Sequence, residues 1–191
     1  MSIVVDSPAG LADAVGSTAV GEWFAIDQRR IQAFADATED WQWIHLDADR
    51  AASGPFGATV AHGYLTLSLL PRLTQGLLAV DGAAMVVNYG LDKVRFLQPV
   101  VVDSRVRAVT EIASAEPSPQ GYRVGLRTTV ELDGSERPAL DGGAAHQPGL
   151  GPAPGRALHR GARGIPAGRA VGRADRNTRP AATRPGSHRS L

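Results

Sequence analysis

The chain has 191 residues, 43% of them apolar, which is enough for one domain with its own core and too few for two comfortable ones. It contains no cysteine, and this excludes disulfides, thiolate catalysis and cysteine-based metal sites. A formal net charge of +1 hides a split: through Asp133 there are 9 Arg and 1 Lys against 16 acids, and from Gly134 onward 10 Arg against 3.

The opening, MSIVVDSPAGLADAVG, has no basic region and no long apolar run, so neither a signal peptide nor a membrane segment is expected and the protein is placed in the cytoplasm. Leu11, Ala12 and Val15 suit a short helix, and Glu22 to Ile26 alternates weakly as a first strand. Asp27 is a good N-cap, because its carboxylate accepts from the unpaired N–H groups of the following turn. The helix it starts carries Ile31, Phe34 and Ala35 on one face and ends near Thr38. A loop, TEDWQWIHLDADRAA, leads into a short helix from about Asp47, which Ser53-Gly54-Pro55 breaks.

From Val60 to Leu78 the chain is apolar nearly all round, the pattern of a buried helix, with Pro71 kinking it. Asp81-Gly82 marks a turn, and strands follow over Met85 to Leu97, Val101 to Ile112 and Tyr122 to Leu132. The last is the clearest: Tyr122, Val124, Leu126, Thr128, Val130 and Leu132 share one face, with Arg123, Arg127 and Glu131 on the other. Asp133-Gly134 is a hairpin-type turn, so a final strand should begin near Glu136. The class is α+β, an antiparallel sheet wrapped around a central helix.

That final strand starts as ERPAL and then loses its alternation. Residues 141–191 hold no aromatic, no Lys and no periodicity, so a folded domain over 1–140 and a disordered tail over 141–191 are expected. The Arg, Ala, Gly and Pro bias is what GC-rich DNA yields in a wrong reading frame, which would leave the last strand incomplete. Arginine-rich tails attract nucleic acid electrostatically, but without aromatics for base stacking a solvated tail is the expectation.

No nucleophile elbow, P-loop, dinucleotide fingerprint or zinc spacing is present. What remains is Asp40 and His45, five residues apart ahead of the central helix. A carboxylate and an imidazole held together pass protons in both directions near neutral pH. Two other readings stay open: both are solvated loop residues, or Asp36, Asp40 and His45 hold a metal. His62-Gly63 lies where a helix start leaves N–H groups unpaired and partly positive.

The run Phe34-Ala35-Asp36-Ala37-Thr38-Glu39-Asp40-Trp41-Gln42-Trp43-Ile44-His45 resembles the hydratase motif of the MaoC-like dehydratases, the R-specific enoyl-CoA hydratases. Gln42-Trp43, where others carry Asn-Pro, is similar to the nodulation-protein-N-like branch. Phe56-Gly57 with Ala61-His62-Gly63-Tyr64-Leu65-Thr66, and Val94-Arg95-Phe96-Leu97-Gln98-Pro99-Val100, resemble the family's second and third signatures, so the likeness covers roughly residues 15–138.

The resemblance implies a hotdog fold, usually dimeric, and hydration of trans-2-enoyl thioesters to (R)-3-hydroxyacyl thioesters, on CoA or acyl carrier protein, with no metal or redox cofactor. It implies that Asp40 and His45 hold and split the water and that the Gly63 N–H receives the thioester oxygen. Gln42 and Trp43 would line the pocket, and His62 would hold the helix entry. Glu39 stands where the family has glycine, and a positive φ there would strain the loop. Beside the hydratase, a hotdog thioesterase or carrier-protein dehydratase and a non-catalytic acyl-thioester-binding protein are the alternatives.

Overall fold

The computed structural model describes residues 2–83, 85–119 and 121–148. The chain enters through strand β1 (Ile3–Val5) and a 3-10 turn at Pro8–Leu11, then forms β2 (Thr18–Val20) and β3 (Phe24–Ala25). Helix α1 spans Gln28–Thr38, and the Asp27 carboxylate caps it as expected, accepting from the Arg30 N–H at 2.8 Å. Within the predicted loop a single helical turn forms, α2 (Trp43–Leu46), and α3 (Ala48–Ala52) follows it, capped by Asp47 at 3.0 Å.

The central helix is split into α4 (Gly63–Ser68) and α5 (Leu70–Leu73). Pro71 falls in the first turn of α5, where its missing N–H is tolerated. Bonds from Leu69 N to Leu65 O (3.0 Å) and Leu73 N to Leu69 O (2.9 Å) meet at the break, so the two pieces form one rod. The expected helix through Leu78 is corrected at its C-terminal end. The chain turns at Gly76, with φ +76°, and Leu78 opens strand β4 (Leu78–Val80), which pairs parallel with β1.

After β4 come β5 (Gly90–Leu91) and β6 (Val94–Phe96), both shorter than the single strand expected over Met85 to Leu97. The long hairpin β7 (Arg105–Ser118) and β8 (Gly121–Leu132) forms the middle of a seven-stranded sheet of order β2-β7-β8-β9-β5. Strand β3 also pairs with β7, and β6 also pairs with β9. The alternation read in β8 holds, since Val124, Leu126, Thr128 and Val130 are buried. On the outer face Arg107 meets Glu131 at 2.7 Å and Arg127 meets Glu111 at 3.2 Å. Such exposed cross-strand pairs contribute about 0.2–1 kcal/mol each, so the sheet is held by its buried face.

Strand β9 (Leu140–Pro148) corrects the expectation that the final strand dissolves after Leu140. It lies between β8 on one side and β5 and β6 on the other. Ladder bonds run from backbone to backbone, so a strand flanked on both sides needs no apolar alternation to be fixed. The rest of the predicted tail, residues 149–191, lies outside the described residues.

The core collects Leu11, Ile26, Ile31, Val106, Ile112, Val124, Val130 and Leu140, all essentially without exposed surface. Each such side chain contributes about 1.5–3 kcal/mol by burial. Leu65, Leu69 and Leu73 form the stripe that the central rod turns to this core, and Leu77 joins it from beyond the turn. The rod is not buried all round, because Tyr64 is 68% exposed. Leu67, Leu70 and Thr74 instead line a separate cavity of about 760 Å³, walled also by Val80, Val86 and Leu126. The apolar excess in the sequence therefore divides between a core face and a cavity face.

Among the described residues no helix is long and apolar enough to cross a membrane.

Candidate active site

Helix α1 ends on Glu39, whose backbone is left-handed at φ 59° and ψ 25°. This reverses the chain so that Asp40 follows directly on the helix end, and it realises the strain that a Cβ-bearing residue suffers there. Left-handed backbone costs about 1–2 kcal/mol with a Cβ present, and glycine's looser unfolded chain offsets about 0.4–1 kcal/mol of the relief. Glu39→Gly is accordingly expected to stabilise the protein by up to about 1.6 kcal/mol, with turnover at or above the parent's. A melting curve and a rate on the same preparation test it, and a lower melting temperature would refute the strain.

His45 lies on α2 and is 8% exposed. Its Nδ1 is 2.6 Å from the Val60 carbonyl oxygen. A carbonyl only accepts, so Nδ1 carries the proton and the neutral ring leaves Nε2 bare. The segment bearing Val60 is fixed in turn by Val60 N to Ile44 O (3.0 Å) and Ala61 N to Val100 O (2.8 Å). Gln28 of α1 clamps the same corner, donating to the His45 carbonyl at 2.8 Å and accepting from the Thr59 hydroxyl at 2.6 Å.

Burial pushes the His45 pKa below its ordinary value. The Val60 hydrogen bond opposes that shift, His62 adds to it, and Asp40 opposes it. The ring is therefore held toward its neutral form, the form with a free lone pair.

His62, the N-cap of α4, is 2% exposed and stacks on His45 with ring centroids 3.7 Å apart and planes 25° apart. Its Nε2–H donates to the Asp40 main-chain oxygen at 2.9 Å. Nothing in the spacing of residues 40 and 62 announces this contact, because its acceptor is a backbone atom. The only signal was His62's position immediately before the helix start.

Gly63 opens α4, where the first N–H groups have no partner within the helix. The Phe96 ring lies against it, since a Cβ added at Gly63 would stand 3.0–3.2 Å from three ring carbons. Phe96 also meets Tyr64 edge-on, with centroids 5.8 Å apart.

Asp40, His45 and His62 each bring one potential ligand atom within 4.8 Å of the others. Stacked rings run their lone pairs side by side, whereas a tetrahedral ion needs each nitrogen aimed at it at about 2.0–2.1 Å. The trio would have to unstack to close on a metal. Asp36, the third ligand in the sequence-based metal reading, is not brought to this cluster. It accepts from Gln32 Nε2 at 2.9 Å and Trp41 Nε1 at 3.2 Å.

Gln42 is the exposed N-cap of α2 and makes no side-chain cap bond. Trp43 packs on Gly54, and the Arg50 guanidinium lies 4.2 Å above its ring. It thereby joins α2 to α3.

The MaoC like domain matches residues 12–131 of the chain. The chain is 48% identical over 137 residues to the 3-hydroxyacyl-thioester dehydratase Z of Mycobacterium tuberculosis, covering 71% of this chain and 89% of that protein. It is 42% identical over 142 residues to nodulation protein N of Rhizobium leguminosarum bv. viciae, covering 72% and 85% respectively. Among solved structures, the R-hydratase PhaJ1 of Pseudomonas aeruginosa, in its unliganded form, superposes with a TM-score of 0.58 at 28% identity, over 72% of this chain and 81% of that one. The sheet curled on its central helix is thus the hotdog fold.

Proposed function

This chain belongs to the MaoC-like dehydratase family, and we propose that it interconverts trans-2-enoyl and (R)-3-hydroxyacyl thioesters, with Asp40 and His45 handling the water. The observation that carries the reading is the tautomer of His45, whose proton is committed to the Val60 carbonyl, leaving Nε2 bare in a cluster with Asp40.

In the hydration direction a water molecule is held between the Asp40 carboxylate and His45 Nε2. His45 takes a proton from it as the oxygen bonds to C3 of the substrate. The electron pair of the C2=C3 double bond moves to C2 and onto the thioester oxygen, where the Gly63 N–H stabilises the enolate. The proton then passes to C2, and dehydration runs the same steps backwards. A neutral, buried imidazole suits both directions, because it accepts a proton readily and gives it up readily.

The cavity beside the central rod supports an acyl substrate. Leu67 and Leu70 of the rod line it while Asp40, His45 and Gly63 do not, so an acyl chain would have to run along the rod from Gly63 to enter it. At about 760 Å³ it falls within the range of about 300–1,000 Å³ typical of small-molecule sites. The carrier would be CoA or an acyl carrier protein. Tyr64, Met85, Val86, Val87, Tyr89, Leu91 and Phe96 are exposed, and a second copy of the chain covering them would complete a homodimer.

Purified protein mixed with crotonyl-CoA tests the reaction through loss of the conjugated thioester absorbance. A folded protein that leaves that absorbance unchanged, and also leaves longer enoyl-CoA esters unchanged, would overturn the proposal. Gly63→Ala is expected to lower turnover by about 10- to 100-fold, because the added methyl and the Phe96 ring it displaces crowd the space in which the thioester oxygen would meet the N–H. Phe96 stands partly in solvent and yields, so the melting temperature should change little. Unaltered turnover in Gly63→Ala would remove this N–H from the mechanism.

A further inference from the structure

We propose that His62 is a positioning residue, which fixes the Asp40 main chain through its Nε2–H and holds the His45 ring in place by stacking on it. The proposal rests on the reading of Asp40 and His45 as the reacting pair.

A buried histidine at a helix entry is most simply a packing residue, and the Phe34 ring, 5.1 Å from His62, agrees with that. Three observations go further. First, the hydrogen bond of the His62 side chain ends on Asp40, the residue whose side chain is to hold the water. Asp40 itself is exposed, and its position follows a left-handed turn with no side-chain anchor, so this main-chain bond is what ties it to the helix start. Second, the face of His62 is laid on the face of His45. Between the Val60 carbonyl at one edge and the His62 ring on one face, the imidazole has little freedom to rotate. Third, His62 Nδ1 is buried without a hydrogen-bond partner. An unpaired buried acceptor is costly, and a packing role alone would be filled by phenylalanine without that cost.

The groups facing His45 are few. Asp40 comes from the loop after α1 and His62 from the start of α4, while Gln28 of α1 and the Val60 carbonyl contribute uncharged bonds. Asp40 favours the imidazolium and His62 disfavours it. Burial is the largest cause of the lowered His45 pKa, and the His62 ring covers one face of His45, so removing that ring admits solvent and moves the His45 titration to higher pH. The acid limb of the rate profile, where protonation disables His45 as a base, should move with it.

Two variants separate the parts of the role. His62→Phe keeps a ring on His45 and loses the donor to Asp40, whereas His62→Gln keeps an N–H able to reach the Asp40 oxygen and loses the stack. His62→Phe should lower kcat by about 10- to 100-fold, as expected of a displaced reacting group, with KM little changed. His62→Gln should recover most of that loss, and its acid limb should lie at higher pH than the parent's. The His45 ring proton followed by NMR reports the same titration without any turnover. If the His45 midpoint is the same in the parent and in His62→Gln, or if His62→Phe keeps the parent's kcat while folded, His62 is a packing residue only. A parent protein inert on enoyl thioesters but showing the displaced midpoint would keep the coupling of the two rings and overturn the reaction instead.

Discussion

Asp40→Asn and His45→Gln are each expected to lower hydration of an enoyl-CoA by about 10²- to 10⁴-fold, the usual contribution of a positioned general acid or base. The two substitutions act on different atoms. Asp40 is exposed, and its side chain makes no hydrogen bond that the fold depends on. Asparagine keeps the shape and the main-chain oxygen that His62 holds, while removing the carboxylate proposed to accept from water. Its melting temperature should stay at the parent's value.

His45→Gln removes the bare Nε2 and also takes the donor from the Val60 carbonyl. A buried acceptor left unpaired costs about 1–3 kcal/mol, so this variant should melt earlier, and its rate must be measured well below that transition. Near-parent turnover in either folded variant would take the pair out of the mechanism. Equal losses in the single and double variants would mark the two residues as acting on one water.

The Asp27 cap and the β8 face were legible in the sequence because their physics is local. Asp27, read as an N-cap, reaches an N–H three residues on, and period-two alternation over Tyr122 to Leu132 needs only a sheet with one dry side; Asp47, read only as the start of a helix, caps it in the same way. Asp40 and His45 were legible as a candidate pair, since few other residue pairs in this chain offer a base and a carboxylate together, and the fold brings a ligand atom of each within 4.8 Å. The contacts of His62 were not, because its partner is a carbonyl 22 residues away and its stacking needs the fold to exist first.

The parallel pair β1 and β4 escaped for another reason. Three-residue strands carry too little pattern to be told from loop, and the pairing of Ile3 with Leu78 joins segments far apart in sequence. Leu78 had been absorbed into the helix because Leu77 and Leu78 continue its apolar run, and it is Gly76 that ends it.

Between Leu140 and Pro148 the glycine-rich sequence looks like chain without structure yet forms β9, and Gly142 shows why. It pairs with Thr128 where the β8–β9 register shifts by one residue, and a Cβ there would lie 3.2 Å from the Thr128 carbonyl oxygen. A glycine at a bulge and a glycine in a solvated tail look alike in sequence. Only the two flanking strands distinguish them.

Ending the chain after Ala139 is therefore expected to abolish folding, and ending it after Pro148 to leave both the fold and the turnover intact. The first cut removes Leu140, which is fully buried, and with it about 1.5–3 kcal/mol of burial. It also strips the pairing from β8 along Val124 to Val130 and takes from β5 and β6 the strand they hydrogen-bond to. Each backbone group left unpaired and buried costs about 1–3 kcal/mol, and three or four of them match the whole net stability of about 5–15 kcal/mol. Phe96, in β6, would lose its fixed place against Gly63, so the site would fail together with the sheet. The second cut touches none of these contacts. Thermal melting followed by circular dichroism decides between them: a cooperative transition in the chain ending at Ala139 would show that β9 is dispensable. A lost transition in the chain ending at Pro148 would show instead that the folded domain extends beyond that residue.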